Sequence, residues 1–227
     1  METQQNQREK ALEEARLRSK KMKKRILLTL GSLLAVLVIL IVAVALLDGR
    51  GSDPQVPPQY SNEDFYPTYQ GDILLYEDYL EMDRTVSYCS DPSGYGITSS
   101  ISDDNRKDFN KQVLFLYDFI QILIAGDEDA YNACFNENYY KTNQRQAAFT
   151  PQMIYRTTIT YLSESEDGRD KLYVYRLEYM IFENDGTYRR DIASDASRPQ
   201  TITLRVTEDG RISIEKLVTL VINHSAS

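Results

Sequence analysis

The stretch FNKQVLFLYDFIQILIAGDEDAYNACF, residues 109–135, decides how the rest of the chain is read. Its apolar side chains Phe109, Val113, Leu116, Ile120 and Leu123 recur at spacings of three and four, which puts them on one face of a helix. Asp103 or Asp104 is placed to cap the start of that helix, and Gly126 to end it in the left-handed conformation that glycine tolerates. Asp127 then caps a second helix with Ala130, Tyr131, Cys134 and Phe135 on its inner side. Two amphipathic helices of this kind need a partner surface for their apolar stripes.

That surface is predicted downstream. Thr150-Pro151 reads as a cap followed by proline in the first helical position, opening a brief third helix. From residue 158 the pattern has period two. Residues 158–163 read as a strand, 164–170 as its turn, and LYVYRLEYMIF (172–182) as a long strand. Glu183-Asn184-Asp185-Gly186 reads as a hairpin turn, with residues 188–192 starting the return. In residues 201–207, Ile202, Leu204 and Val206 alternate with Thr203, Arg205 and Thr207. Asp209-Gly210 is a second tight turn, and residues 211–222 form the last strand. Helices followed by an antiparallel meander give an α+β fold, with the helices on one face of the sheet.

Upstream, residues 73–86 read as a short helix with Asp72 as its cap, and SDPSGYGITSS (90–100) as turn and loop. Residues 48–71 are rich in Gly, Pro, Ser and Asp and read as a spacer with extended character. Before the spacer lies ILLTLGSLLAVLVILIVAVALL (26–47), which carries no charged residue. As a helix its 22 residues span roughly 33 Å, enough for a hydrocarbon core of about 30 Å. Residues 1–25 hold nine Lys/Arg against four Glu, and basic flanks stay cytoplasmic. The expected arrangement is a basic cytoplasmic head (1–25), a transmembrane helix (26–47), a linker (48–71), an extracytoplasmic domain (72–222) and a tail (223–227). The alternative is a cleaved signal peptide ending near Ala43-Val44-Ala45, but the apolar run exceeds the usual h-region of about 7–15 residues.

The whole chain carries a formal charge of −8 despite its basic head, so the outer domain is strongly acidic. That excludes nucleic acid as the expected partner, because phosphate neutralisation needs Lys and Arg. The lipid bilayer is the first expected partner. Seventeen Tyr and no Trp suit half-buried sheet surfaces and wet interfaces. Cys89 and Cys134 lie on the outer side, where a disulfide closing a 45-residue loop is permitted. The other reading is two free thiols in the core.

Catalytic chemistry finds little to stand on. The only histidine, His224, falls in the tail, so no Ser or Cys nucleophile has a histidine base beside it on the domain. Asp103/Asp104 and Asp127/Asp129 sit where helix caps are needed, and Glu164/Glu166 in a turn. Asp127-Glu128-Asp129 lacks the glycine and closing glutamate of a calcium loop, and two Cys with one His do not make a zinc site. There is no phosphate-binding glycine loop, so no cofactor, metal or catalytic residue is expected. Asn223-His224-Ser225 matches a glycosylation sequon by composition alone. Arg156, Arg176 and Arg205 fall in or beside strands. Those that point inward would line a pocket with Tyr155 and Tyr175 suited to an anionic or aromatic ligand; those that point outward are ordinary solvated residues.

The order of elements, carried by FLYDFIQILIAGDEDAYNACF (115–135), FTPQMIY (149–155) and the strands that follow, resembles the nuclear transport factor 2-like superfamily. The resemblance implies a cone in which a curved antiparallel sheet wraps the helices. Enzymatic members place acidic or His residues at the mouth of that cone, and none of these matches here residue by residue. The layout of head, anchor, linker and cone is similar to inner-membrane scaffold proteins of type IV secretion and Gram-positive conjugation machines. It implies an envelope interaction or scaffold role, with other envelope proteins or a second copy as partners. The alternatives are a ligand-binding or sensing domain using the cone pocket and, third, an enzyme with carboxylate chemistry.

Overall fold

The computed structural model describes residues 60–220. The basic head, the expected membrane helix, the first half of the spacer (48–59) and the tail with His224 lie outside those residues. Among the described residues no helix is long and apolar enough to cross a membrane. What is described is an α+β fold built on one six-stranded mixed sheet.

The helices are α1 (Glu77–Leu80), α2 (Lys111–Ala125), α3 (Glu128–Ala133) and α4 (Glu137–Tyr140), with 3-10 turns at Asn62–Asp64, Ile73–Leu75 and Asp103–Asp108. The strands are β1 (Val86–Cys89), β2 (Thr98–Ile101), β3 (Ile154–Asp167), β4 (Asp170–Ile181), β5 (Gln200–Val206) and β6 (Ile212–Thr219), in spatial order β2-β1-β3-β4-β5-β6. β1 runs parallel to β3 and every other pair is antiparallel. The expected all-antiparallel meander is therefore corrected at one edge. Parallel neighbours need a long crossover, and here the connection contains β2 and helices α2–α4.

β4 shows why the sheet forms where it does. Tyr175, Leu177, Tyr179 and Ile181 are all buried, while Arg176 and Glu178 between them face the other way. On the buried side lie Val113, Leu116, Phe119, Ile120 and Leu123 of α2. Phe119, Tyr131, Phe135, Phe149 and Tyr188 extend this core as an aromatic cluster, with Tyr131 4.9 Å from Phe135 and 5.7 Å from Tyr188 between ring centroids. Tilted and edge-to-face contacts of this kind add to simple area burial.

Several expectations are corrected. The cap of α2 is Asn110, whose Oδ1 accepts from the Val113 amide at 2.9 Å, because Phe109 is extended and separates a 3-10 turn from the helix proper. Residues 73–86 split into a 3-10 turn and one turn of helix, and Val86 belongs to β1. Thr98–Ile101, read as loop, pairs with β1; its first three residues are exposed, so it carries no alternating apolar signal. No helix follows Pro151, because the Gln152 amide bonds Leu123 O at 3.2 Å and draws the chain across the end of α2. A short helix forms instead at α4, capped by Asn136.

The turn at 164–170 shrinks to Gly168-Arg169 as β3 and β4 pair out to Asp167 and Asp170. Glu183–Gly186 does not open a hairpin, and residues 188–192 are not a strand. The Asn184 side-chain amide donates to Arg189 O at 2.9 Å and Ile192 O at 3.0 Å, using carbonyls that a ladder would need. β4 instead pairs with β5, on the far side of an 18-residue loop (182–199).

Candidate functional site

A groove runs between the 72–86 segment and the outer side of α2. Two adjoining crevices of about 580 and 340 Å³ share Leu74, Gln121 and Ile124. This is in the size range of ligand and peptide sites. Tyr117, Gln121 and Ile124 recur at four and three residues along α2, so they form a second stripe beside the buried one. Leu74, Leu80 and Met82 form the facing wall, and the ends of β1 and β2 close one end.

The wall is fastened from below. Tyr79 is fully buried, and its hydroxyl donates to Ile154 O at 2.7 Å. Burial pushes its pKa up to about 12. Ile73 packs with Tyr79, Met153 and Tyr155 in a small second core beneath the segment. Anchoring these side chains leaves their neighbours outside: Leu74 is 50%, Leu75 72% and Leu80 45% exposed. Leu74 and Leu80 share one wall of the groove, and grouped apolar exposure is unusual where scattered exposure is not. The mouth carries Asp83 and Arg84; bonds from Thr85 hold the Asp83 carboxyl below its usual range.

The five residues proposed as a pocket do not converge. Tyr155 is buried in the small core and donates to Asp195 Oδ1 at 2.8 Å, with its pKa pushed up to about 12 by burial and by that carboxylate. Arg156 is exposed on a β-bulge, with φ of 48°, a backbone conformation that side chains with a Cβ rarely adopt. Tyr175 lies in the main core against Tyr161. Arg176 lies outside the core, 3.1 Å from Glu178 and against Gly94, where a Cβ would meet its guanidinium at 2.4 Å. Arg205 is at the far end of the sheet, bonded to Asp170 at 2.8 Å, Asp167 at 2.7 Å and Glu215. The candidate pocket therefore has no cluster of these side chains behind it.

Cys89 and Cys134 are both free. Cys89 ends β1, while the Cys134 carbonyl accepts from Ile214 of β6, so three strands stand between the two elements in the sheet order. A disulfide requires Cα atoms within about 7 Å. Burial pushes the Cys134 thiol up to about 11, which keeps it protonated and inert at neutral pH. Asp127 is a helix cap bonded to the Ala130 amide, as its position suggested, and Asp103 pairs with Arg106 on the surface.

A second polar centre is internal. Arg189, 4% exposed, bonds both carboxylate oxygens of Asp191 at 2.8 and 2.6 Å and reaches Tyr179 Oη and Arg198 O at 3.3 Å each. Burial pushes Asp191 up, but the Arg189 bonds and charge outweigh it and leave the carboxyl below its usual range. Every member has partners, and the network fastens the 182–199 loop to β4 and β5. Sequence reading missed both this centre and the groove. The adjacent leucines at 74 and 75, with Leu80 close behind, exceed what one buried helix turn can use. That surplus was the available signal.

Comparison of the chain with protein-family models, curated proteins and solved structures gives no match.

Proposed function

We propose that the chain is a single-pass membrane-anchored interaction or scaffold protein of a bacterial cell-envelope assembly, such as a secretion or conjugation apparatus. Its basic N-terminus lies in the cytoplasm and its domain outside. The likeness of the domain to the nuclear transport factor 2-like cone belongs to the same proposal. The membrane part rests on the uncharged run 26–47 and its basic flank. The interaction part rests on one observation, the groove beside α2 with Leu74 and Leu80 exposed on its wall. An apolar surface of this kind costs solubility unless something covers it.

Two measurements test the reading. A periplasmic-type reporter fused after Ser227 is active if the domain lies outside, and a cytosolic signal overturns the placement. A photo-crosslinker at residue 74, which lines both crevices, yields a defined adduct in cells with an envelope protein or a second copy. A crosslinker at the exposed Arg169, on the β3–β4 turn, does not. Equal labelling from both positions, or none from residue 74, removes the groove as an interaction surface.

A further inference from the structure

We propose that Gln152, Glu183 and Asp185 form a binding site for a calcium ion. The crevice they line has a volume of about 10 Å³, room for one sphere the size of a water molecule or a small ion. Gln152 is only 2% exposed, and its Oε1 has no hydrogen-bond partner within the protein.

The orientation of that amide is fixed by its other end. Nε2 donates to Thr150 O at 2.8 Å, a carbonyl that can only accept. Exchanging N and O would set two acceptors against each other, so the unpartnered atom is the oxygen, Oε1, on a residue that lines the crevice. An orphaned buried carbonyl oxygen costs free energy until a donor or cation meets it.

The rest of the lining suits a cation. Glu183 and Asp185 add two carboxylates, and none of the crevice residues is Lys or Arg. Asp185 Oδ1 accepts from the Thr187 amide at 3.0 Å and the Thr187 hydroxyl at 2.7 Å, and Oδ2 accepts from Thr150 Oγ1 at 2.5 Å, so these bonds fix the carboxylate, which offers about four acceptor sites in all. Glu183 uses one oxygen, Oε1, to accept from Tyr76 at 3.2 Å and keeps the other for a ligand. Its backbone has φ of 48°, and it stands two residues from Asp185 with both side chains on the same crevice. The donors are all oxygen, which selects hard cations over zinc or copper. An irregular, partly open set completed by water suits calcium better than magnesium, which demands near-octahedral geometry. The bound ion would tie the segment before β3 to the start of the 182–199 loop.

The test uses the full-length chain in detergent micelles. Calcium should raise the thermal midpoint reversibly against a chelator, and by more than magnesium does. Terbium should give luminescence sensitised by Tyr69, which lines the same crevice, and calcium should compete for it. Glu183→Gln and Gln152→Met should each weaken apparent binding about tenfold or more. Glu183→Gln changes a half-buried rim residue, so it reports even if Gln152→Met fails to fold. An absent calcium shift, as a single bridging water would give, overturns the proposal. So does a calcium shift of full size in the folded variants, which would place the ion on other carboxylates.

Discussion

Tyr79 and Asp191 show how single polar atoms set the stability of this domain. The Tyr79 hydroxyl is the one link between the groove wall and the start of β3 that is both buried and as short as 2.7 Å. Tyr79→Phe keeps the ring and removes that bond, so it should cost about 1–2 kcal/mol in urea unfolding. Asp191 is the charge partner of a nearly buried guanidinium. Asp191→Asn leaves Arg189 without its counter-charge and should cost about 3 kcal/mol at neutral pH. The pH dependence follows from the depressed carboxyl of Asp191. Its contribution is complete above the unfolded carboxylate value of about 3.9 and is lost as pH falls through the lower folded value. The urea midpoint of the natural chain should therefore hold between pH 7 and 5 and drop below about pH 4. The gap between natural chain and Asp191→Asn should narrow over the same acid range; a gap that stays constant would mean the carboxylate charge contributes nothing.

At the scale of elements, α2 is the part whose ends can be argued atom by atom. Asn110 satisfies the Val113 amide, and Asn110→Ala should cost about 1 kcal/mol. Asp103→Ala should change stability by less than about 0.5 kcal/mol, since Asp103 caps nothing in α2 and is exposed. Chemical denaturation of the pair separates the observed cap from the one that spacing suggested. At the other end Gly126 has φ of 68°, with Gly126 N bonding Leu123 O and Asp127 N bonding Ile122 O, both at 3.2 Å. A Cβ there would stand 2.5 Å from the backbone nitrogen of Pro151. Gly126→Ala therefore combines an unfavourable φ with a clash against backbone, and should destabilise by more than about 2 kcal/mol. It should also disturb the segment 150–153, visible as faster amide exchange of Gln152, whose N–H bonds Leu123 O.

For the whole molecule, the decisive feature is what the sheet does not cover. α2 offers one stripe to the sheet and a second, Tyr117, Gln121 and Ile124, to the groove. Leu74→Asp and Leu80→Asp alter exposed side chains, so stability should move by no more than about 0.5 kcal/mol. Association should weaken severely if the groove is the contact, because a desolvated charge in an apolar interface core is costly. Analytical ultracentrifugation of the full-length chain in detergent checks self-association, and co-purification from crosslinked membranes checks a different partner. Loss of folding in the Leu74 variant would instead mean that this leucine is part of the core.

The sequence by itself determined the elements whose signals are local. The period of α2, the glycine at its end, the Asp127 cap, the β4 alternation and the Asp209-Gly210 turn all depend on residues within one or two turns of each other. An α+β domain follows from that much. Only the tertiary structure decided the rest, because the determining contacts are far apart in the chain. β2 exists through its pairing with β1 rather than through an apolar pattern, and β1 joins β3 across some 64 intervening residues. Asn184 turned an expected hairpin into a long loop by capturing carbonyls five and eight residues ahead. The five candidate pocket residues are spread for the same reason: Tyr175 and Arg176 are neighbours in β4 on opposite faces, Arg205 lies in β5, and β3, irregular at two places, redirects Arg156. The groove arises because Tyr79 must reach Ile154, 75 residues away, which commits the wall to the fold and leaves its leucines facing water.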